Sequence, residues 1–228
     1  ELEISKRLLR IVSGQESDLS VALSSENWQP VDSFGVHGYD KGIYWLSIHI
    51  QSHSNQLERF VVRNLYALHD FVDFYVFDDA QLIQHWPMGD FRADPGWVFS
   101  DKNFAIPLEL PPHAQRHVYI RIEGMNSKVL KTEVISHSEM QENIHWSRLI
   151  FGAIYGMMVI MALYNLIIGV FVRDKAYVLY ACQVILFCLF IMTINGDGRY
   201  YLWKNWADFN QYAIQIFGVL YVFFIILF

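Results

Sequence analysis

The chain has 228 residues, 54% of them hydrophobic, with 17 Lys+Arg against 23 Asp+Glu and a net charge of −6. The charge is unevenly divided: residues 1–143 carry 12 basic and 20 acidic side chains, residues 144–228 only 5 and 3. An acidic balance without a basic run argues against nucleic acid, and the two cysteines, Cys182 and Cys188, leave the first half without a disulfide framework.

The chain opens at Glu1 rather than Met, as expected of a removed signal peptide or a fragment. Residues 1–12 mix Ile4, Leu8, Leu9, Ile11 and Val12 with charges and support no assignment. Ser13 to Asp18 reads as a loop, Ser20 to Leu23 as a short apolar piece. Gly35, Gly38, Asp40 and Gly42 mark another loop. From Ile43 a period of two begins: Tyr44, Leu46, Ile48 and Ile50 share one face, and Ile43, Trp45, Ser47 and His49 the other. Further strands are expected at Arg59–Leu65, Val72–Phe77, Gln81–Trp86, Phe104–Leu110, His117–Glu123 and Thr132–Ser136, with a long loop over Pro87–Gly96. Seven or eight short strands separated by turn signals predict an all-β sandwich or jelly roll.

No catalytic constellation emerges from this half, and neither a metal nor a cofactor is expected. His49 and His53 are spaced for a helical metal site but lie at a strand end. His113 and His117 flank a turn, and Asp78-Asp79 reads as a solvated turn. The aromatic residues are more informative. Trp45, Tyr75 and Tyr119 fall on faces opposite the apolar ones, with Arg63 and Arg121 as neighbours. Flat rings beside planar hydrogen-bonding groups suit sugars and other small polar ligands. The competing reading is ordinary outward aromatics and structural ion pairs.

Leu149 to Val172 is a run of 24 residues without a charge, against roughly 20 needed to cross a bilayer core. Trp146 and Arg148 flank one end, Arg173, Asp174 and Lys175 the other. Ser138 to Ser147 is a short polar connector. Gly152 and Gly156 form a small-xxx-small pair, and the amide of Asn165 calls for a partner on another helix. Ala176–Ile194 is a second span. Asn195 to Asp208 follows, with Tyr200, Tyr201, Trp203 and Trp206 as an interfacial belt, and a third run from Phe209 is still apolar at Phe228, as in a chain cut within a helix. The basic residues of the first loop put that loop in the cytoplasm and the acidic half outside.

Several stretches resemble the bacterial seven-transmembrane receptors with diverse intracellular signalling modules, 7TMR-DISM. In the first half these are Gly42-Ile43-Tyr44-Trp45-Leu46, Val72-Asp73-Phe74-Tyr75-Val76, Phe104-Ala105-Ile106-Pro107-Leu108 with Pro111-Pro112, and Val118-Tyr119-Ile120-Arg121. In the second they are Met161-Ala162-Leu163-Tyr164-Asn165-Leu166, Arg173-Asp174-Lys175-Ala176-Tyr177, and Asn195-Gly196 with Tyr201-Leu202-Trp203. The resemblance implies a type-2 extracellular domain similar to carbohydrate-binding modules. It further implies the start of a seven-helix bundle in a bacterial inner membrane and a cytoplasmic output module, such as a histidine kinase, diguanylate cyclase or phosphatase, outside these residues.

The organisation expected is a lead-in over 1–29, a sandwich over 30–138, a connector over 139–147 and membrane helices over 148–228. The function expected is reception of an extracytoplasmic small polar ligand or glycan, with the lipid bilayer as a second partner and a homodimer left open. The alternative is an envelope-anchored binding or scaffold protein without signalling. A transporter fragment fits less well, since the spans hold amides, tyrosines and glycines rather than ionisable groups at mid-membrane.

Overall fold

The structure, a computed structural model, describes residues 2–11, 18–30, 36–39, 42–92, 96–125 and 127–228. The chain divides into two compact units, Glu1–Met140 and Gln141–Phe228. In the first, the elements in order are β1 (Leu2–Ile11), α1 (Leu19–Ser24), β2 (Gln29–Pro30), β3 (Val36–Tyr39), β4 (Ile43–Ser52), β5 (Glu58–Asn64), β6 (Phe71–Asp78), β7 (Gln81–Met88), β8 (Phe104–Leu110), β9 (Gln115–Glu123), β10 (Ser127–Val129) and β11 (Thr132–Ser136). Six strands form one antiparallel sheet in the order β2-β1-β4-β9-β6-β7. Three form a second, β11-β5-β8, and β10 pairs with β3.

Period-two alternation builds the core. Tyr44, Leu46, Ile48 and Ile50 of β4, Val72, Phe74 and Val76 of β6, and Val118, Ile120 and Ile122 of β9 all point inward. Val62 of β5 and Phe104, Ile106, Leu108 and Leu110 of β8 meet them from the second sheet. The all-β sandwich expected from the strand pattern is therefore the observed architecture.

The structure adds to the sequence reading and corrects it in places. The lead-in contributes β1, which pairs with β4 over ten residues, from Leu2↔Ser52 to Ile11↔Ile43. Lys6, on its inward side, donates to the Thr132 carbonyl of β11 and ties the two sheets together. Ser20–Leu23 lies within α1, which is helical. Val36–Tyr39, inside the expected loop, is a strand, while Gly35 and Asp40 lie outside the described residues. The loop expected from Pro87 begins later, because β7 runs on to Met88. β7 is an edge strand, paired only with β6, where a missing N–H is tolerated.

The second unit holds three long helices, with α2 (His137–Val172) beginning in the first. α2 starts immediately after β11 and contains the whole expected connector. Ser136 Oγ accepts from the Glu139 N–H at 3.1 Å, so the Ser136-His137-Ser138-Glu139 run begins the helix as an N-terminal cap. α3 (Lys175–Ile194) has 20 residues, which at 1.5 Å each spans about 30 Å, the thickness of a hydrocarbon core. Its N-terminus is capped by Asp174, which accepts from the Ala176 N–H at 3.0 Å. A short α4 (Asp197–Tyr201) follows, then α5 (Ala207–Leu227). α2, α3 and α5 are each long and apolar enough to cross a membrane.

One buried group makes the sandwich sensitive to acid. His69 is 1% exposed and donates from Nε2 to the Val129 carbonyl at 2.8 Å. Burial, with a smaller contribution from Lys128, pushes its imidazole down to about 4. In the unfolded chain the ring titrates near 6.5, so between those values the unfolded state binds the extra proton. Stability present above about pH 6.5 is therefore lost as pH falls toward about 4, by up to roughly 3 kcal/mol. Urea unfolding of the chain in detergent, followed by tryptophan fluorescence, should show this loss. His69→Gln, which keeps a donor for Val129, should flatten the profile; an unchanged slope would assign the acid sensitivity elsewhere.

Candidate functional site

The outward side chains of β1, β4, β9 and β6 form rows across the six-stranded sheet. One row runs Leu9, Trp45, Arg121, Asp73; the next Arg7, Ser47, Tyr119, Tyr75; the third Ser5, His49, His117, Phe77. Four of the five ligand-binding candidates, Trp45, Tyr75, Tyr119 and Arg121, thus share one face. Arg63 does not. It lies on β5 of the other sheet, where Nη2 meets Glu133 at 2.8 Å and Nη1 reaches the Met140 sulfur at 3.7 Å. It is buried and paired, so its position is structural.

The shared face is divided into three zones. In the first, α1 and Trp28 cover the sheet. Leu9, Ala22, Ile43 and Trp45 form a second small core, with Leu19, Val21, Trp28, Tyr75 and Tyr119 packed against it. Trp45 is 0% exposed and offers no surface to a ligand. In the second zone, Asp73 is held by Arg92 at 2.7 Å and Arg121 at 3.5 Å, and Arg121 also meets Glu123. Tyr75 lies beside this network, stacked on His85 with centroids 4.4 Å apart and planes 6° apart. Burial, then the Asp73 carboxylate, raise its phenol above the usual value.

The third zone is open. A cleft of about 360 Å³ is lined by Ser5, Arg7, Trp28, Ser47, His49, His117 and Tyr119. Its volume falls within the roughly 300–1,000 Å³ typical of small-molecule sites. The Trp28 and Tyr119 rings lie 5.9 Å apart, and the His49 and His117 rings 4.4 Å apart. Two apolar ring faces thus stand beside two imidazoles, a guanidinium and two serine hydroxyls. Such a site can stack on a flat ligand and hydrogen-bond its edge. Of the sequence candidates, only Tyr119 lines it.

The histidines paired by sequence spacing take other partners in space. His49 stands against His117 across the β4–β9 ladder, His53 faces Glu3 at 3.8 Å, and His113 meets Asn55 at 2.8 Å. His117 could have been found as an outward position of a strand whose alternation is clean. Arg7 and Trp28 lie in stretches without periodicity and carried no such signal.

In the second unit, Asn165 donates to the Met161 carbonyl of its own helix at 2.8 Å, rather than to another helix. A Cβ on Gly152 or Gly156 would meet no described atom within 4 Å. The close approach of α2 to α3 is at Gly169 instead, where a Cβ would lie 3.0 Å from Val178. Among the polar contacts of this unit, Tyr155 of α2 donates to Asp197 at 2.6 Å and accepts from Asn195 at 3.3 Å. Trp203, expected in the interfacial belt, is buried and donates to Asn210 at 2.7 Å.

Comparison with known proteins gives two family matches. Residues 13–136 match the model described as 7TMR-DISM extracellular 2, and residues 147–228 the model described as 7TM diverse intracellular signalling. No curated protein matches the chain. Among solved structures, a β-glucosidase from Kluyveromyces marxianus in complex with glucose is 12% identical at a TM-score of 0.29. The alignment covers 58% of this chain and 16% of that enzyme. The Epithelial Adhesin 9 A domain from Candida glabrata in complex with Galb1-4GlcNAc is 7% identical at a TM-score of 0.29, covering 58% of this chain and 82% of that one.

Trp45→Ala should destabilise the sandwich by about 3–5 kcal/mol, as removal of a buried aromatic does. The check is urea unfolding of the chain in detergent. A loss below about 1 kcal/mol would mean that the zone under α1 is not a packed core.

Proposed function

The chain belongs to the 7TMR-DISM family, as a membrane sensory receptor, and from that premise we propose that its sandwich binds a glycan in the outer-face cleft. The observation that carries the proposal is the cleft itself. Trp28 and Tyr119 offer ring faces to the apolar side of a sugar. Ser5, Arg7, Ser47, His49 and His117 surround them with hydrogen-bonding groups. The three zones explain the choice of location: one is filled by its own small core, one by its own ion pairs, and this one is open.

In the proposed arrangement the sandwich stands in the periplasm of a bacterial inner membrane. Ligand binding biases the helices through β11 and α2, which follow each other without a loop. A ligand shifts such an equilibrium only by its differential affinity for the two states. Helical continuity from His137 gives strain at the end of β11 a route into the membrane span. Output is assigned to a further module of the receptor, in keeping with the family resemblance.

The test is ligand-dependent melting of the chain in nanodiscs against a glycan panel. A ligand that binds only the folded state stabilises it by RT ln(1 + [L]/Kd), so the melting temperature should climb with concentration. Tyr119→Ala should abolish the shift, while Phe91→Ala, at an exposed ring outside the cleft, should retain it. If no glycan moves the transition, or Tyr119→Ala leaves the shift intact, the proposal fails.

A further inference from the structure

We infer that the cleft selects an anionic saccharide, its charge a carboxylate or a sulfate, and that Arg7 with the His49–His117 pair reads that charge. The inference rests on the glycan reading of the cleft and narrows it to one chemical class.

The first observation is the sign of the described lining. It holds one permanent cation, two imidazoles, two serine hydroxyls, an indole and a phenol, and no carboxylate. That is unusual for this domain, whose first 143 residues carry an excess of acidic side chains. A site for a neutral sugar has no need of a local reversal of charge. A concave wall of one sign concentrates ligands of the opposite sign.

The second observation concerns Arg7. Arg59, Arg63, Arg92, Arg116 and Arg121 each meet a carboxylate of the domain. Arg7 lies exposed on β1 and makes no ion pair with the described residues. Its fork of donors suits the two oxygens of a carboxylate or sulfate.

The third observation is the imidazole pair. The His49 and His117 rings lie 4.4 Å apart, tilted by 52°. Two imidazoles without a third ligand do not make a zinc site, and no group of three or more metal-ligating side chains occurs among the described residues. The groups that face His117 are His49 across β4, Phe77 across β6, Tyr119 along its own strand and Asp79 from the β6–β7 turn. Asp79 is engaged by Gln115 at 3.0 Å, and Glu3 stands near His53, so both carboxylates lie one row beyond the pair. Burial and the neighbouring His49 lower the His117 imidazole, and Asp79 pulls it partly back. A bound anion favours the protonated ring. The ligand therefore enters with a proton, and binding tightens as pH falls through the histidine range.

The test uses three probes that differ only at C6: methyl β-D-glucoside, methyl β-D-glucuronide and methyl β-D-glucoside 6-sulfate. Each is titrated by ligand-observed NMR into the chain in zwitterionic nanodiscs, at about pH 5.5 and about pH 8. At the lower pH at least one charged probe should bind about tenfold or more tighter than the glucoside, and the gap should narrow at the higher pH. Arg7→Gln should shrink the gap, and His117→Gln should remove its pH dependence. A melting scan of each variant confirms the fold. Equal binding of the glucoside and both charged probes would overturn the charge assignment and leave the glycan reading standing. Binding by none of the three, with a neutral glycan of the wider panel still shifting the melting temperature, would overturn the charge assignment alone. No binding by any saccharide would overturn both.

Discussion

The candidate site depends on the register of β4, β9 and β6. In β9, Val118, Ile120 and Ile122 point into the core, and His117, Tyr119 and Arg121 point out. Because the side-chain period is two, a slip of one residue would exchange the two sets. Moving three large aliphatic side chains from core to water costs about 5–9 kcal/mol together, at roughly 1.5–3 kcal/mol each. That is comparable to the whole stability of a typical domain, about 5–15 kcal/mol. The core thus holds the face in register, and the cleft residues need supply none of that energy themselves. They are free to be polar or charged and to stay open to solvent, as exposed Arg7 and half-buried His49 and His117 do.

The same sheet face serves three purposes, and what covers each zone decides which. α1 lays Ala22 over Trp45 and converts the ring from a surface into a packing element. Asp73 draws in Arg92 and Arg121 and spends their charge locally. Between the sheet edge at β2 and those two zones, neither a helix nor an internal ion pair of the described residues fills the rows of Ser5, Arg7, Ser47, His49 and His117. A group buried in a protein must find its partners within it, whereas one in an open cleft can wait for a ligand. The contrast between Arg121 and Arg7 is an instance: one is matched inside the fold, the other makes no ion pair with the described residues.

Strands with one clean apolar face were legible from sequence, and β4, β6, β8, β9 and β11 appear at or near their expected bounds. β1 was hidden because neither of its faces is uniform. Lys6 takes an inward position to reach Thr132, and Leu9 takes an outward one to pack in the small core beside α1. α1 is too short, at six residues, to display a helical period. The start of α2 was readable in principle, since Ser136 and Glu139 have the spacing of a capping box, but the polar composition of 138–147 suggested a linker. Within the site, aromatic alternation found the right face but not the open part of it. Which outward residue is covered depends on α1 and Trp28, and that is a tertiary fact. In the helices, Asn165 could satisfy its amide within one turn, so its presence did not specify an interhelical contact. Gly169, near the end of α2, marks the close approach because helix crossing, not motif, determines which glycine faces a neighbour.

How far a bound ligand can bias the helices follows from thermodynamics rather than from the size of the cleft. Coupling between sites in proteins is typically about 1–3 kcal/mol, equivalent to a differential affinity of roughly 5–150-fold. A cleft of about 360 Å³ with a handful of polar contacts can supply that difference if one or two of them form in only one state. Contacts equal in both states add affinity and no signal. Arg7 and Trp28 are the contacts best suited to such a role. They lie on β1 and just before β2, at the margin of the sheet, while Ser47, His49, His117 and Tyr119 are fixed in its centre by the core behind them. In the proposed reading, a ligand bridging margin and centre would draw the two together. β1 is also joined to β11 through Lys6 and Thr132, and β11 continues into α2. The strand that carries the cleft's cation is thus one hydrogen bond from the strand that opens the first membrane helix.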